Sequence, residues 1–195
     1  MMQRNEIENC ANDILNKYKI TDSPYLHIKE ICTHEQIKVK RTNFGVGMDG
    51  AFSVINGEKI IFYNALKPIR RTNFTKAHEL GHYFLKHQLE SGNAIYCLNK
   101  AICEGNQQSL PRIETEANYF AAYFLMPKMQ LFSAYINIAD TILNRSIHRP
   151  LYVDKQPCNL RDWKIVSDIL TAKFGVSNEA LRYRMETIKI LNYNI

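Results

Sequence analysis

The stretch Phe74-Thr75-Lys76-Ala77-His78-Glu79-Leu80-Gly81-His82-Tyr83-Phe84-Leu85 decides how the chain is read. It contains one H-E-x-x-H. Two histidines four positions apart on a helix share a face, with Cβ atoms ~5–6 Å apart. Both imidazoles can then reach one ion at Zn–N distances of ~2.0–2.1 Å. Glu79 follows His78 by one step of ~100° around the helix, so its carboxylate sits beside such an ion rather than on it. From there it can take a proton from a metal-held water. The bland reading is a surface helix that carries two histidines. Against it, Phe74, Ala77, Leu80, Gly81, Phe84 and Leu85 are apolar or small, which suits a buried helix, and buried histidines need partners.

Pro68 opens this helix, which the pattern carries to about Lys86 or His87. On such a helix His87 lies about 140° from His82, a poor place for a third ligand. Residues 88 to 110 are polar and aperiodic, which reads as a loop over the site or a lid. A second strong helix follows, from Pro111 to the stop at Pro127. Its small face is Ala117, Ala121 and Ala122, and Glu114 shares it, because Ala117, Asn118 and Ala121 stand at i+3, i+4 and i+7. Glu116 points about 200° away, toward Phe120 and Tyr123 or their rim. A carboxylate beside an alanine face can meet the two histidines across a tight crossing and leave one coordination position for water. Asn118, one turn later, can hydrogen-bond one of the ligands. The competing reading of Glu114 is an acid favoured by the helix macrodipole.

Upstream, residues 3 to 18 read as an amphipathic helix with Ile7, Cys10, Ala11, Ile14, Leu15 and Tyr18 at helical spacing. Asp22-Ser23-Pro24 opens a second helix carrying Leu26, Ile28, Ile31 and Cys32. Gln36 to Lys40 alternates as a strand. Ala51 to Ile55 and Lys59 to Tyr63 flank Asn56-Gly57, the strongest short hairpin signal. The strand over Lys59 to Tyr63 is a candidate to bind substrate backbone as an added strand. Downstream, residues 129 to 143, 162 to 173 and 178 to 191 read as helices, the last capped by Ser177. Arg182, Arg184 and Lys189 lie on that last segment, and the pair can resemble a helix-turn-helix, although such pairs more often simply pack on a core.

With 195 residues, 46% hydrophobic and 23% charged, the chain supports one sizeable core and room for a small subdomain. No run of 18 apolar residues exists and the N-terminus is polar, so neither a membrane span nor a signal peptide is expected and the cytoplasm is the expected compartment. Five cysteines at irregular spacing, without C-x-x-C, fit reduced thiols there. The net charge of +6 gathers in clusters at Lys38, Lys40, Arg41 and at Lys67, Arg70, Arg71, Lys76, which read as solvated faces.

Taken together, Phe74 to His82, the run Glu114-Thr115-Glu116-Ala117-Asn118-Tyr119-Phe120-Ala121-Ala122 leading into Leu125-Met126-Pro127, the hairpin ending Ile60-Ile61-Phe62-Tyr63-Asn64, and Phe174-Gly175-Val176-Ser177 with Ala180 to Arg184 resemble the ImmA/IrrE family of metallopeptidases. The resemblance implies an α+β, zincin-like fold: a small sheet packed on the H-E-x-x-H helix, with a catalytic core over residues 1–127 and a helical C-terminal subdomain over 128–195. It implies zinc on His78, His82 and Glu114, with Glu79 as the catalytic base of a zinc-dependent endopeptidase. Characterised members cleave transcriptional repressors, so the expected partner is a protein substrate of the repressor type. An attached repressor-type DNA-binding domain at the N-terminus is not expected, so a repressor substrate is expected to be a separate protein. Direct nucleic-acid binding and membrane association are not expected. The alternative is a non-catalytic regulator that binds a repressor or DNA and carries a structural zinc.

Overall fold

The computed structural model describes residues 2–45, 47–87, 95–98, 112–144 and 150–195. The chain divides into two compact units, Met1–Leu125 and Met126–Ile195. Among the described residues there are seven α-helices, none of them long and apolar enough to cross a membrane.

In the first unit, α1 (Arg4–Lys17) buries Ile7, Ala11, Ile14 and Leu15, the stripe its periodicity predicts. A 3-10 turn (Pro24–His27) leads into α2 (Ile28–His34), and then come β1 (Ile37–Thr42), β2 (Met48–Ile55) and β3 (Glu58–Asn64). Asn56 and Gly57 both have positive φ, +51° and +80°, as a two-residue hairpin turn requires. The sheet order is β1-β3-β2-β4, where β4 is Ile95–Leu98. Ile61 pairs with Val39 of parallel β1 on one side and with Phe52 of antiparallel β2 on the other. This overturns the expectation that the Lys59–Tyr63 strand can accept a substrate strand: both its edges are already hydrogen-bonded within the sheet. The expected loop or lid over 88 to 110 lies outside the described residues apart from β4, whose backbone pairs with β2.

Helix α3 (Ile69–Phe84) contacts β2 and β3 and also packs on α4 (Arg112–Leu125), which in turn packs on α1. Leu80, Ala117, Phe120, Ala121 and Phe124 are fully buried where these layers meet. Each large apolar side chain there stabilises the fold by about 1.5–3 kcal/mol. Gly81 is what lets α3 and α4 approach: a Cβ at this position would stand 3.0 Å from Phe120 Cδ1 and 3.2 Å from Ala117 Cα.

α3 ends sooner than its pattern predicts. Leu85 caps it and Lys86 takes a left-handed φ of +56°. The Lys86 and His87 backbone N–H groups donate back to Tyr83 O and His82 O at 3.1 and 3.0 Å, the bond pair of a Schellman closure. His87 therefore lies off the helical path that the pattern predicts.

The second unit contains α5 (Lys128–Thr141), β5 (Leu151–Val153), α6 (Pro157–Phe174), α7 (Asn178–Thr187) and β6 (Leu191–Tyr193), with β5 and β6 paired in parallel. Ser177 caps α7 by accepting the Ala180 N–H at 3.2 Å, as its position predicts. The helix expected to reach residue 191 stops at Thr187, and Lys189 turns out of it at φ +62°. Arg184 is buried and its Nε donates to Met126 O at 3.0 Å, so this arginine serves packing within the unit rather than a basic face.

Candidate metal centre

His78 and His82 leave α3 on one face, and Glu114 meets them from the first turn of α4. The two Nε2 atoms are 3.0 Å apart. Glu114 Oε2 is 3.1 Å from His78 Nε2, and its Oε1 is 3.3 Å from His82 Nε2. All three side chains are buried. A tetrahedral ion with arms of ~2 Å holds its donors about 3.3 Å from one another, so the separations already suit one. Two imidazole nitrogens and a carboxylate oxygen are also the donor chemistry that borderline zinc accepts. The group can hold a metal ion.

The charges fit the same picture. Burial alone would raise the Glu114 carboxyl, but hydrogen bonds from His78 and His82 outweigh it and bring its pKa to about 2. Burial lowers the His82 imidazole to about 4, partly offset by Glu114. Near neutral pH the cluster thus presents a carboxylate and a neutral His82, the forms that bind metal.

The other nitrogens of the two imidazoles are also engaged. His78 Nδ1 lies 2.8 Å from Asn118 Oδ1, the contact expected from Asn118's place one turn beyond Glu114. His82 Nδ1 lies 2.9 Å from His87 Nδ1, and His87 Nε2 lies 3.3 Å from Glu116 Oε2. Sequence reasoning weighed His87 only as a third ligand, on a helix extended too far, and it assigned Glu116 no partner. Glu116 is buried, and its Oε1 accepts from the Met2 N–H at 3.0 Å and from Arg112 Nε at 2.8 Å. Nothing in the local sequence marks either residue, because their meeting depends on how the helix ends.

Glu79 is fully buried, and neither carboxylate oxygen has a hydrogen-bond partner among the described residues. Burial first, and then the nearby Glu114 charge, push its pKa well above the ordinary 4.5, opposed by the Phe52 backbone. β2 passes over it at Gly50, where an added Cβ would lie 3.1 Å from Glu79 Oε1 and 2.9 Å from Phe62 O. A buried carboxylate without a partner costs free energy, and such groups concentrate where chemistry is done. Nearby Asp49, also buried, pairs with Arg71 Nε at 2.6 Å and with Lys67 at 3.3 Å. Those two members of the second basic cluster therefore neutralise an interior acid rather than forming part of a freely solvated face.

Residues 32–186 match the Peptidase_M78 family, described as the IrrE N-terminal-like domain. The chain belongs to this family. Its mixed helices and small sheet are the α+β zincin-like fold that the M78 resemblance implies. Among solved structures, a Mycobacterium tuberculosis transcriptional regulator is similar to the M78 chain at 14% identity, with a TM-score of 0.53 over 93% of this chain. At that identity the likeness is one of fold. The M78 chain spans 46% of that regulator's length. No curated protein matches it.

Proposed function

We propose that this chain is a zinc-dependent endopeptidase in which His78, His82 and Glu114 hold the metal, Glu79 is the general base, and a repressor-type transcription regulator is the substrate. The observation that carries the reading is the pairing of a three-donor cluster, 3.0–3.3 Å between donors, with a fully buried carboxylate, Glu79, that has no side-chain partner among the described residues and only the Phe52 backbone to favour its charge. A structural zinc site has no use for such a carboxylate and closes its fourth position with a protein ligand. The substrate class rests on the resemblance to repressor-cleaving members of the family.

Zinc held by His78, His82 and Glu114 would supply Lewis acidity and lower the pKa of water toward neutrality. Glu79, when ionised, would take a proton from the attacking water on its carboxylate, and its raised pKa makes it a stronger base than an exposed glutamate. As water oxygen bonds to the peptide carbon and the C–N bond breaks, Glu79 returns the proton to the departing amine. Asn118 Oδ1 accepts the Nδ1 proton of His78 and leaves its Nε2 lone pair facing the cluster. Every residue with a role lies within Met1–Leu125.

The test is to incubate the zinc-loaded protein with repressors encoded beside its gene and read fragments by mass spectrometry. Cleavage that disappears with chelator, and in Glu79→Gln, is the expected result. Persistence of cutting in Glu79→Gln overturns the base assignment. A chelator-resistant, salt-dependent shift of DNA by this chain alone, without cleavage, favours the non-catalytic regulator.

A further inference from the structure

The two imidazoles of the cluster are held from behind in different ways. His78 leans on one amide, Asn118. His82 instead leads into a buried file of groups: His82 Nδ1, His87 Nδ1 at 2.9 Å, and from His87 Nε2 to Glu116 Oε2 at 3.3 Å. The side chains of His87 and Glu116 are 5% and 4% exposed, so water does not replace these contacts. His87 Nδ1 faces the His82 nitrogen that points away from Glu114, which places His87 behind His82 and not among the donors.

This file has one proton arrangement compatible with metal binding. His82 Nε2 must offer a lone pair, so its Nδ1 carries the hydrogen and donates to His87 Nδ1. His87 Nε2 then carries a hydrogen and donates to Glu116, which can only accept while ionised. Glu116 is fixed in turn: its other oxygen accepts from Arg112 Nε and from the Met2 backbone. The Schellman turn at Lys86 is what delivers His87 to this place.

We propose that His87 and Glu116 are positioning residues for zinc, together setting the tautomer and ring orientation of His82. This rests on the reading of His78, His82 and Glu114 as the metal ligands. Removing such a partner typically weakens metal affinity about 10–100-fold.

The test measures zinc affinity of the full chain by competition with a chromophoric chelator, without any assay of cleavage. His87→Phe keeps a ring but accepts nothing from His82. His87→Gln keeps an acceptor oxygen. We expect His87→Phe to bind zinc about 10–100-fold more weakly than the parent and His87→Gln to recover most of that loss. Equal affinity in the two variants, whether parental or reduced, overturns the proposal, since a merely space-filling role does not distinguish an acceptor from a phenyl ring. If His87→Phe does not fold by metal-free circular dichroism, Glu116→Leu reads the next bond in the file, and parental zinc affinity there overturns the proposal instead. His82→Ala and Glu114→Ala run alongside. Loss of binding in those two with parental binding in the His87 variants sinks this inference alone, whereas parental binding in His82→Ala and Glu114→Ala sinks the metal site itself.

Discussion

Gly81 and Ala117 bring α3 and α4 into near backbone contact: a Cβ on Gly81 would sit 3.2 Å from Ala117 Cα. A helical glycine replaced by alanine ordinarily gains about 1 kcal/mol from propensity. Here the new methyl meets backbone and the Phe120 ring, and overpacking of this kind costs about 1–3 kcal/mol. The second effect wins. Gly81→Ala is expected to lower the melting temperature and, by prising Glu114 away from the histidines, to weaken zinc binding. Calorimetry and chelator competition check it, and a stabilised Gly81→Ala with parental zinc affinity contradicts it.

Glu79→Gln should improve the stability of the metal-free protein while ending catalysis. Glu79 has a folded pKa raised well above 4.5 by burial and then by Glu114. Between those values the folded state holds a proton that the unfolded state releases, so stability falls as pH rises above 4.5. The amide carries no such penalty. At pH 7 the variant is expected to be the more stable of the two, with the difference closing as the pH falls toward 4.5. Denaturant unfolding at several pH values reads the trend.

His82 contributes with the opposite sign. Its folded pKa, lowered mainly by burial from 6.5 to about 4, means the unfolded chain takes up the proton first. The contribution is fully present above pH 6.5 and is lost as the pH falls toward 4. Zinc affinity should fall through the same window, because protons and metal compete for the imidazole. Glu79 masks part of this in the parent, so the acid loss of metal-free stability is expected to be steeper in Glu79→Gln than in the parent. An equal or shallower slope contradicts it.

Arg184→Ala is expected to destabilise the second unit by about 1–3 kcal/mol, the usual cost of leaving a buried backbone acceptor unmatched. Its Nε donates to Met126 O inside that unit. The measurement is the unfolding free energy. If the stability is unchanged while DNA binding is lost, Arg184 belongs to a recognition face and the packing role fails.

The hairpin at Asn56-Gly57, the buried H-E-x-x-H face and the alanine face that carries Glu114 were legible because each depends on neighbours within a few positions. The helix ends were not. Lys19, Gln36, Lys86 and Lys189 all take left-handed φ just beyond a helix, a place where glycine is the usual signal. None of these residues announces a stop. The cost was largest at Lys86, because one mistaken helical step moved His87 from behind His82 to an unrelated face. The central place of β3 was equally hidden, since its parallel pairing with β1 skips over β2 in sequence. The burial of Arg184 was hidden too, because nothing in its neighbourhood shows that a carbonyl 58 residues earlier, that of Met126, is its partner.

That skipped pairing bears on how the sheet assembles. The β2–β3 hairpin closes through a two-residue turn, an event on the ~1–10 μs scale. β1 joins it only after a longer segment has folded back, so its ladder pays more chain entropy before any bond rewards it. The rim strand carrying Lys38 and Lys40 therefore docks after that hairpin and opens before it. In hydrogen exchange the amides of β1 should lose protection ahead of those that β3 shares with β2.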